Sequence, residues 1–485
     1  MSADHGVTSH ELLIGGHWVE AAEGDAYEET SPASGRPLAR LAAAGPEDVD
    51  RAVRAARAAA EAWAHEPVFA RADRCHAVAE VIAARADELA AELCVEHGKP
   101  LADAKAEVMS AAEGFRLAAE EVKRLGGDTI PVRDATKRVL TMRVPRGVWA
   151  VLTPFNFPIN IPVEYLGPAV ATGNAVVWKA APTTSRVAVR LAECIVDAGV
   201  PDGVVNLLTG PSLEMSRRLV SHPGVDGVGF TGSSAAGEAI AREAAGKQLL
   251  MELGGNGPVI VLEDADMDRA AAAIASAAFW NAGQSCAAAG RVLVEPAVER
   301  DLAAGLAEQA RGEVLGLPWQ EGTTLGPVHT PAVAETTLAH VADAREHGAE
   351  LLHGGAAAEG LPTRLYLEPT VLAGVPLAAI VQQQETFGPL AALSPVSGDD
   401  AILAAADASD LGLSCAIFTR DVARALRLAE RLRVGQVVVN DTSNYWELHM
   451  PFGGGAGKRS GLGRVGGRYA LEAMTDLRSV AIDVR

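Results

Sequence analysis

Apolar positions along the chain follow two different spacings. From residue 46 to about 125 they recur every three or four places, as on one face of a helix. Pro46-Glu47-Asp48 opens the first such segment, which is rich in Ala and Arg and runs to Trp63. A proline and acids suit a helix N-terminus. Residues 70–98 and about 101–125 continue the helical spacing, and Gly126-Gly127 ends it. From Val144 the apolar residues gather into short runs at 148–153, 175–179, 204–208 and 225–230. Helical patterns at 183–198 and 233–245 accompany them. Buried strands alternating with helices predict a parallel, doubly wound α/β sheet.

A second alternating set occupies 258–262, 291–294, a helix near 297–311, then 416–419 and 437–440. It predicts a second α/β domain. Segments 139–144 and 479–484 are strand-like but stand apart from both sets. They could pair with each other or with a neighbouring subunit. No internal repeat or low-complexity linker is visible.

The length of 485 residues agrees with two or three domains rather than one core. The 42 basic and 62 acidic residues give a net charge of −20. That balance argues against nucleic acid or an anionic membrane surface as partner. Met1-Ser2-Ala3-Asp4-His5 carries no basic and apolar leader pattern, and the longest apolar stretch, near 270–280, is too short to span a bilayer. Five scattered cysteines without a CxxC pattern suggest reduced thiols and a cytoplasmic protein. No metal-ligand spacing is present.

Cys286 differs from Cys75, Cys94, Cys194 and Cys415 in its surroundings. It follows Gly283-Gln284-Ser285 and precedes small alanines, so a turn could present its thiolate, whereas the others sit in apolar helical or strand-like runs. Glu252 precedes Leu253-Gly254-Gly255 and can end a strand over open space. Together they read as a nucleophile and a general base. Asn156 lies in Pro154-Phe155-Asn156-Phe157-Pro158, a stiff turn whose amide could donate to an oxyanion or could satisfy its own loop.

Gly227-Val228-Gly229-Phe230-Thr231-Gly232 matches GxGxxG between a strand and a helix. An acid follows 20 residues after Gly232, where that fingerprint expects a ribose ligand, and this acid is again Glu252. Lys179 ends an apolar strand and would face the ligand crevice or simply the surface. Glu385, Phe387 and the glycine-rich segments at 451–454 and 460–464 complete the candidate pocket, or are ordinary turns.

Taken in order, Pro154–Pro158, Lys179, Phe230–Ser233, Glu252–Gly255, Gly283–Cys286, Glu385–Pro389 and Pro451–Gly454 resemble the aldehyde dehydrogenase superfamily over nearly the whole chain. The resemblance implies Cys286 as nucleophile, Glu252 as the base that activates the deacylating water, and Asn156 in the oxyanion hole. It implies NAD or NADP as cofactor. Lys179, Gly232, Ser233, Glu385 and Phe387 would hold it, together with Thr153 and Phe155 of the stiff loop. Glu252 is thereby a catalytic rather than a ribose-binding acid, and its presence argues against the CoA-acylating branch.

Two departures qualify the resemblance. Pro182 stands where strongly NAD-selective members carry a glutamate, so NADP is not repelled. The Lys179–Pro182 pattern, Cys286–Arg291 and Asn440-Asp441 are similar to the benzaldehyde- and vanillin-oxidising branch, yet Glu164 replaces a residue often basic there. By the same analogy Asn160, Glu164, Trp280, Asn444, Trp446 and Phe452 would line the substrate tunnel, with helix residues near Phe115 and Arg116. Glu164 and Arg116 could instead pair with each other. The implied substrate is an aromatic aldehyde, with a small semialdehyde or hydroxyaldehyde as the alternative. A CoA-acylating enzyme and a non-catalytic binding protein stand behind both.

The expected architecture is an NAD(P)-binding domain of residues 1–123 and 145–253 and a catalytic domain of residues 254–466. An oligomerisation element of residues 124–144 and 467–485 would make a homodimer or homotetramer.

Overall fold

The computed structural model describes residues 7–455 and 457–485. Two large sheets organise it. The first has eight strands, in the order Gly461–Leu462, Gln248–Leu253, Gly227–Gly232, Val148–Leu152, Ala175–Lys179, Val205–Leu208, Leu12–Ile14 and His17–Val19. Its five central strands, from Gln248–Leu253 to Val205–Leu208, are parallel, and antiparallel strands close both edges. Val148, Trp149, Ala150 and Val151 are fully buried, as continuous apolar runs between two helix layers should be.

The second sheet has seven strands, ordered Glu350–His353, Thr370–Ala373, Leu390–Pro395, Arg291–Val294, Pro258–Val261, Ser414–Phe418 and Gln436–Val439. All its pairings are parallel except the first. The doubly wound α/β architecture read from the sequence is therefore present twice. Three strands of the second sheet, between residues 350 and 395, were not predicted, nor was the small N-terminal sheet built from Thr8–His10, Ala26–Thr30 and Pro37–Ala42.

The helical segment 70–98 is two helices, Val68–Ala84 and Ala86–His97, broken at Arg85. The first buries Cys75, Val78, Ala79 and Ile82, the stripe its spacing predicts. Segments 139–144 and 479–484 belong to longer strands, Lys137–Pro145 and Thr475–Asp483, paired antiparallel along their whole length. With Thr129–Ile130 they form a separate three-stranded sheet that leaves Met142, Leu477 and Ile482 exposed. Among the described residues no helix is long and apolar enough to cross a membrane.

The GxGxxG reading needs correction. The motif is a strand, Gly227–Gly232, not a turn that cradles a phosphate. Side chains at Gly227 and Gly229 would run into the Trp149 and Tyr165 rings. These glycines serve packing within the protein.

Candidate active site

The carboxyl ends of the first sheet face the loop that carries Cys286. Glu252 sits near the end of the strand Gln248–Leu253, and the chain then passes directly beneath two other motifs. A side chain at Gly255 would collide with the Cys286 carbonyl, and one at Gly254 would meet the Glu385 carboxyl at 2.6 Å. The two glycines after Glu252 thus permit three loops to meet at one point. Gly283, with φ of 72°, similarly lets Gly388 approach.

The turn before the nucleophile holds three consecutive residues in the left-handed region: Asn281 at φ 53°, Ala282 at 54° and Gly283 at 72°. Non-glycine residues rarely adopt this conformation, and such strain concentrates at functional sites. It is held here by side chains. Asn281 Nδ2 donates to the carbonyls of Asn156 and Gln284, and Gln284 Nε2 donates to the Asn281 carbonyl. His329 N donates to Gln284 Oε1 at 2.7 Å.

Cys286 and Glu252 line the same cavity, close enough for each side chain to act on the other electrostatically. Burial lifts the Glu252 carboxyl to about 7. Burial and then Glu252 push the Cys286 thiol well above its ordinary value. The resting pair thus holds the thiol proton until an acceptor takes it. Asn156 Nδ2 donates to the Gln284 carbonyl at 3.1 Å, and its Oδ1 is buried without a partner. The amide's second N–H remains for a ligand oxygen. The other four cysteines are buried, and burial raises each thiol, as expected for inert packing groups.

Beside Cys286 lies a cavity of about 200 Å³. Asn160, Glu164, Trp280, Asn444, Trp446 and Phe452, the six residues expected there, all line it. So do Ser110, Phe157 and Ser285, which the sequence reading did not single out. Phe115 and Arg116 do not. Phe115 is fully buried in the core, and Arg116 turns away to Glu80 and Glu113. The suggested Arg116–Glu164 pair is therefore absent. Glu164 Oε1 instead accepts from Asn160 Nδ2 at 3.1 Å, and Ser110 donates to Asn160 Oδ1 at 2.9 Å.

The stiff Asn156 loop rests on a buried ion pair that the sequence reading also missed. Lys99 Nζ lies 2.5 Å from Glu107 Oε2, donates to the Asn156 carbonyl at 2.9 Å, and sits 4.3 Å from the centre of the Phe157 ring. Glu107 Oε1 accepts from the backbone of Ile159 and Asn160, at the start of the helix Asn160–Thr172. A carboxylate is well placed at a helix N-terminus. The available signal was Glu107 itself, a charge on the buried stripe of Ala104, Val108 and Ala111.

None of the cofactor candidates lines the cavity beside Cys286. Lys179 ends its strand half-buried, and desolvation lowers its ammonium to about 8. Burial raises the Glu385 carboxyl to about 8, while Oε1 accepts from Gly255 N. Among the described residues, neither the Lys179 ammonium nor Glu385 Oε2 has a hydrogen-bond partner. One offers donors and the other an acceptor, which suits the diols of a dinucleotide's two riboses. Phe387, at φ 58°, packs edge-on against Phe155 at 6.0 Å, and Phe155 stacks on His329 at 4.7 Å. Thr153 Oγ1 accepts from Trp178 Nε1, which fixes its loop to the Lys179 strand. Ser233 caps the helix Ser234–Glu243 directly after Gly232.

A family model described as the aldehyde dehydrogenase family matches residues 18–480. The chain belongs to the aldehyde dehydrogenase family. It is 37% identical to 3-sulfolactaldehyde dehydrogenase of Pseudomonas putida over 99% of this chain and 98% of that protein. It is 36% identical to the NADP(+) succinate-semialdehyde dehydrogenase GabD of Escherichia coli K12, over 99% of both. Among solved structures, an NAD-dependent aldehyde dehydrogenase from Sinorhizobium meliloti superposes with a TM-score of 0.95 at 35% identity, covering 99% of this chain and 95% of that one. The names of both enzymes compared in sequence denote small functionalised aldehydes. They favour the semialdehyde or hydroxyaldehyde alternative over the aromatic aldehyde that the sequence motifs suggested.

Proposed function

We propose that this aldehyde dehydrogenase oxidises a small semialdehyde or hydroxyaldehyde to its carboxylic acid, with NAD or NADP as oxidant. The observation that carries the reading is the placing of Cys286 and Glu252 together on the wall of one cavity, with Asn156 held to the turn before Cys286. The volume, about 200 Å³, supports a small substrate, since pockets for drug-sized ligands run from about 300 Å³ upward.

Glu252 accepts the Cys286 proton, and the thiolate adds to the aldehyde carbon. The oxyanion of the resulting thiohemiacetal receives hydrogen bonds from Asn156 Nδ2 and the Cys286 backbone N–H, each strong donor contributing about 3–4 kcal/mol. NAD or NADP, when bound, supplies the two-electron acceptor for the hydride on that carbon. The acyl group then remains on Cys286 as a thioester. Once Glu252 has passed the Cys286 proton to bulk water, it takes a proton from the attacking water, hydroxide adds to the thioester carbon, and the carboxylic acid leaves as the thiolate is restored and regains a proton from Glu252. Lys179, Gly232, Ser233, Glu385, Phe387, Thr153 and Phe155 hold the cofactor. With Pro182 after Lys179, no carboxylate at that position repels a 2′-phosphate, which supports use of either dinucleotide.

In this reading residues 1–123 and 145–253 bind the cofactor and residues 254–466 supply the catalytic cysteine. The sheet formed from residues 124–144 and 467–485 joins subunits into a dimer or tetramer. The deciding experiment follows absorbance of the reduced nicotinamide with aliphatic, semialdehyde, hydroxy and aromatic aldehydes, each with NAD and NADP. Turnover best with the small functionalised aldehydes supports the reading. Turnover best with benzaldehydes returns the aromatic substrate, and no turnover with any pairing refutes the assignment.

A further inference from the structure

The cavity beside Cys286 has an electrostatic character that its shape alone would not suggest. Its lining contains two carboxyl groups, Glu164 and Glu252, and no lysine, arginine or histidine. Two cations next to lining residues in the fold are already committed. Lys99 is buried against Glu107 and the Asn156 carbonyl, and Arg116 faces Glu80 and Glu113. Glu252 belongs to the chemistry at Cys286. Glu164 does not, and its position is built rather than incidental. It stands one helical turn after Asn160, and the relay from Ser110 through Asn160 fixes its Oε1. Oε2 has no partner among the described residues and is not wholly buried, and Glu164 lines both this cavity and a smaller one beside Gly114, Leu117 and Leu471.

Four aromatic rings also line the cavity. Phe157 and Trp280 pack at 5.0 Å between ring centres, and Trp446 and Phe452 at 5.4 Å. Ring faces attract cations and repel anions. A carboxylate at the end of a substrate would therefore be stripped of water beside Glu164, with no cation to receive it.

We propose that Glu164 selects the substrate's tail: Oε2 accepts a hydrogen bond from a hydroxyl or ammonium group, and aldehydes ending in a carboxylate or sulfonate are rejected. This rests on the aldehyde dehydrogenase reading above and narrows it to the hydroxyaldehyde and aminoaldehyde side. It sets this chain apart from the two relatives in sequence, whose names denote aldehydes with acidic tails.

The test is kcat/KM for four aldehydes with the wild-type enzyme: butanal, glyceraldehyde, 3-aminopropanal and succinate semialdehyde, each with NAD and NADP. Glyceraldehyde or 3-aminopropanal should exceed butanal by about tenfold, the value of a good hydrogen bond. Succinate semialdehyde should fall about tenfold or more below butanal, because its carboxylate loses water in a cavity whose lining offers no cation. Glu164→Gln keeps the shape and the Asn160 contact. In that variant the donor advantage should shrink to about threefold or less and the penalty on succinate semialdehyde should ease.

Succinate semialdehyde as the best wild-type substrate overturns the tail assignment and leaves the dehydrogenase reading intact. Selectivity ratios unchanged in Glu164→Gln overturn the role of Glu164. Absence of turnover with all four aldehydes and both cofactors overturns the dehydrogenase reading and this inference with it. The wild-type panel decides the main point even if the variant fails to fold.

Discussion

The Cys286 thiol and the Glu252 carboxyl line one cavity and act on each other across it, and burial raises both above their ordinary values. The pair explains how a cysteine in so apolar a place can react. Its proton has a defined acceptor, and that acceptor is itself tuned to take it near neutrality.

The pH dependence follows from that tuning. Glu252 acts in its ionised form, and burial places its ionisation at about 7. Activity should therefore be low below that value, rise across pH 6 to 8, and level off above. The inflection belongs to the pair and not to one residue. Measuring kcat/KM against pH for the wild type and Glu252→Gln checks it: the variant should lose the inflection. A variant profile that keeps the same inflection would assign it elsewhere.

Single-residue changes should separate the two chemical stages. Cys286→Ala should lower turnover by about 10⁴-fold or more while leaving cofactor binding intact, as read by fluorescence titration. Glu252→Gln should lower steady-state turnover by about 10²- to 10⁴-fold. An acyl-enzyme should then accumulate, visible by mass spectrometry of the quenched protein. Equal loss in both variants with no adduct would mean that the first role of Glu252, taking the Cys286 proton, limits the variant and its second role does not.

Much of this site could be read from the sequence because its motifs are local. A glycine pair after Glu252, a turn before Cys286 and a proline-flanked Asn156 each announce an unusual backbone within a few residues. What could not be read is held by distant partners. Glu107 lies in a helix that looks purely structural and Lys99 in the short connection before it, and their meaning depends on the loop at 154–158 packing over them. The strands between residues 350 and 395 were missed for a related reason: they are short, and tertiary pairing rather than a distinctive local pattern defines them. The GxGxxG match misled because glycines required beside Trp149 and Tyr165 look the same in sequence as glycines required beside a phosphate.

A second buried acid pair gives a stability prediction independent of catalysis. Glu29 and Glu96 lie at the start of the helix Ser185–Asp197, where Glu96 accepts from the backbone of Arg186 and Val187 and Glu29 from Ser185. Burial, and for Glu96 its acidic neighbour, hold both carboxyls above their ordinary range. An acid raised on folding contributes fully below its unfolded value of about 4.3, and the contribution is lost as pH rises through the folded value. Glu29→Gln retains an oxygen for Ser185 and supplies an N–H toward Glu96. Its melting temperature, relative to the wild type, should therefore climb between pH 5 and pH 9. A constant difference across that range would mean the pair does not titrate with folding.

The Lys99–Glu107 pair should matter to both stability and chemistry, and the two effects can be told apart. Both side chains are almost wholly buried, so Lys99→Met leaves an uncompensated carboxylate and frees the Asn156 carbonyl. Breaking one partner of a buried pair costs about 3–5 kcal/mol. Urea unfolding should show a loss of that order, and kcat should fall because the Asn156 loop loses its anchor. Adding Glu107→Gln removes the stranded charge while keeping an oxygen for the backbone of Ile159 and Asn160. The double variant should thus regain stability over Lys99→Met alone, the non-additive outcome expected of residues in contact. Its kcat should stay low, since the lysine that holds Asn156 is still missing. Recovery of kcat together with stability would mean that Lys99 acts only through the fold.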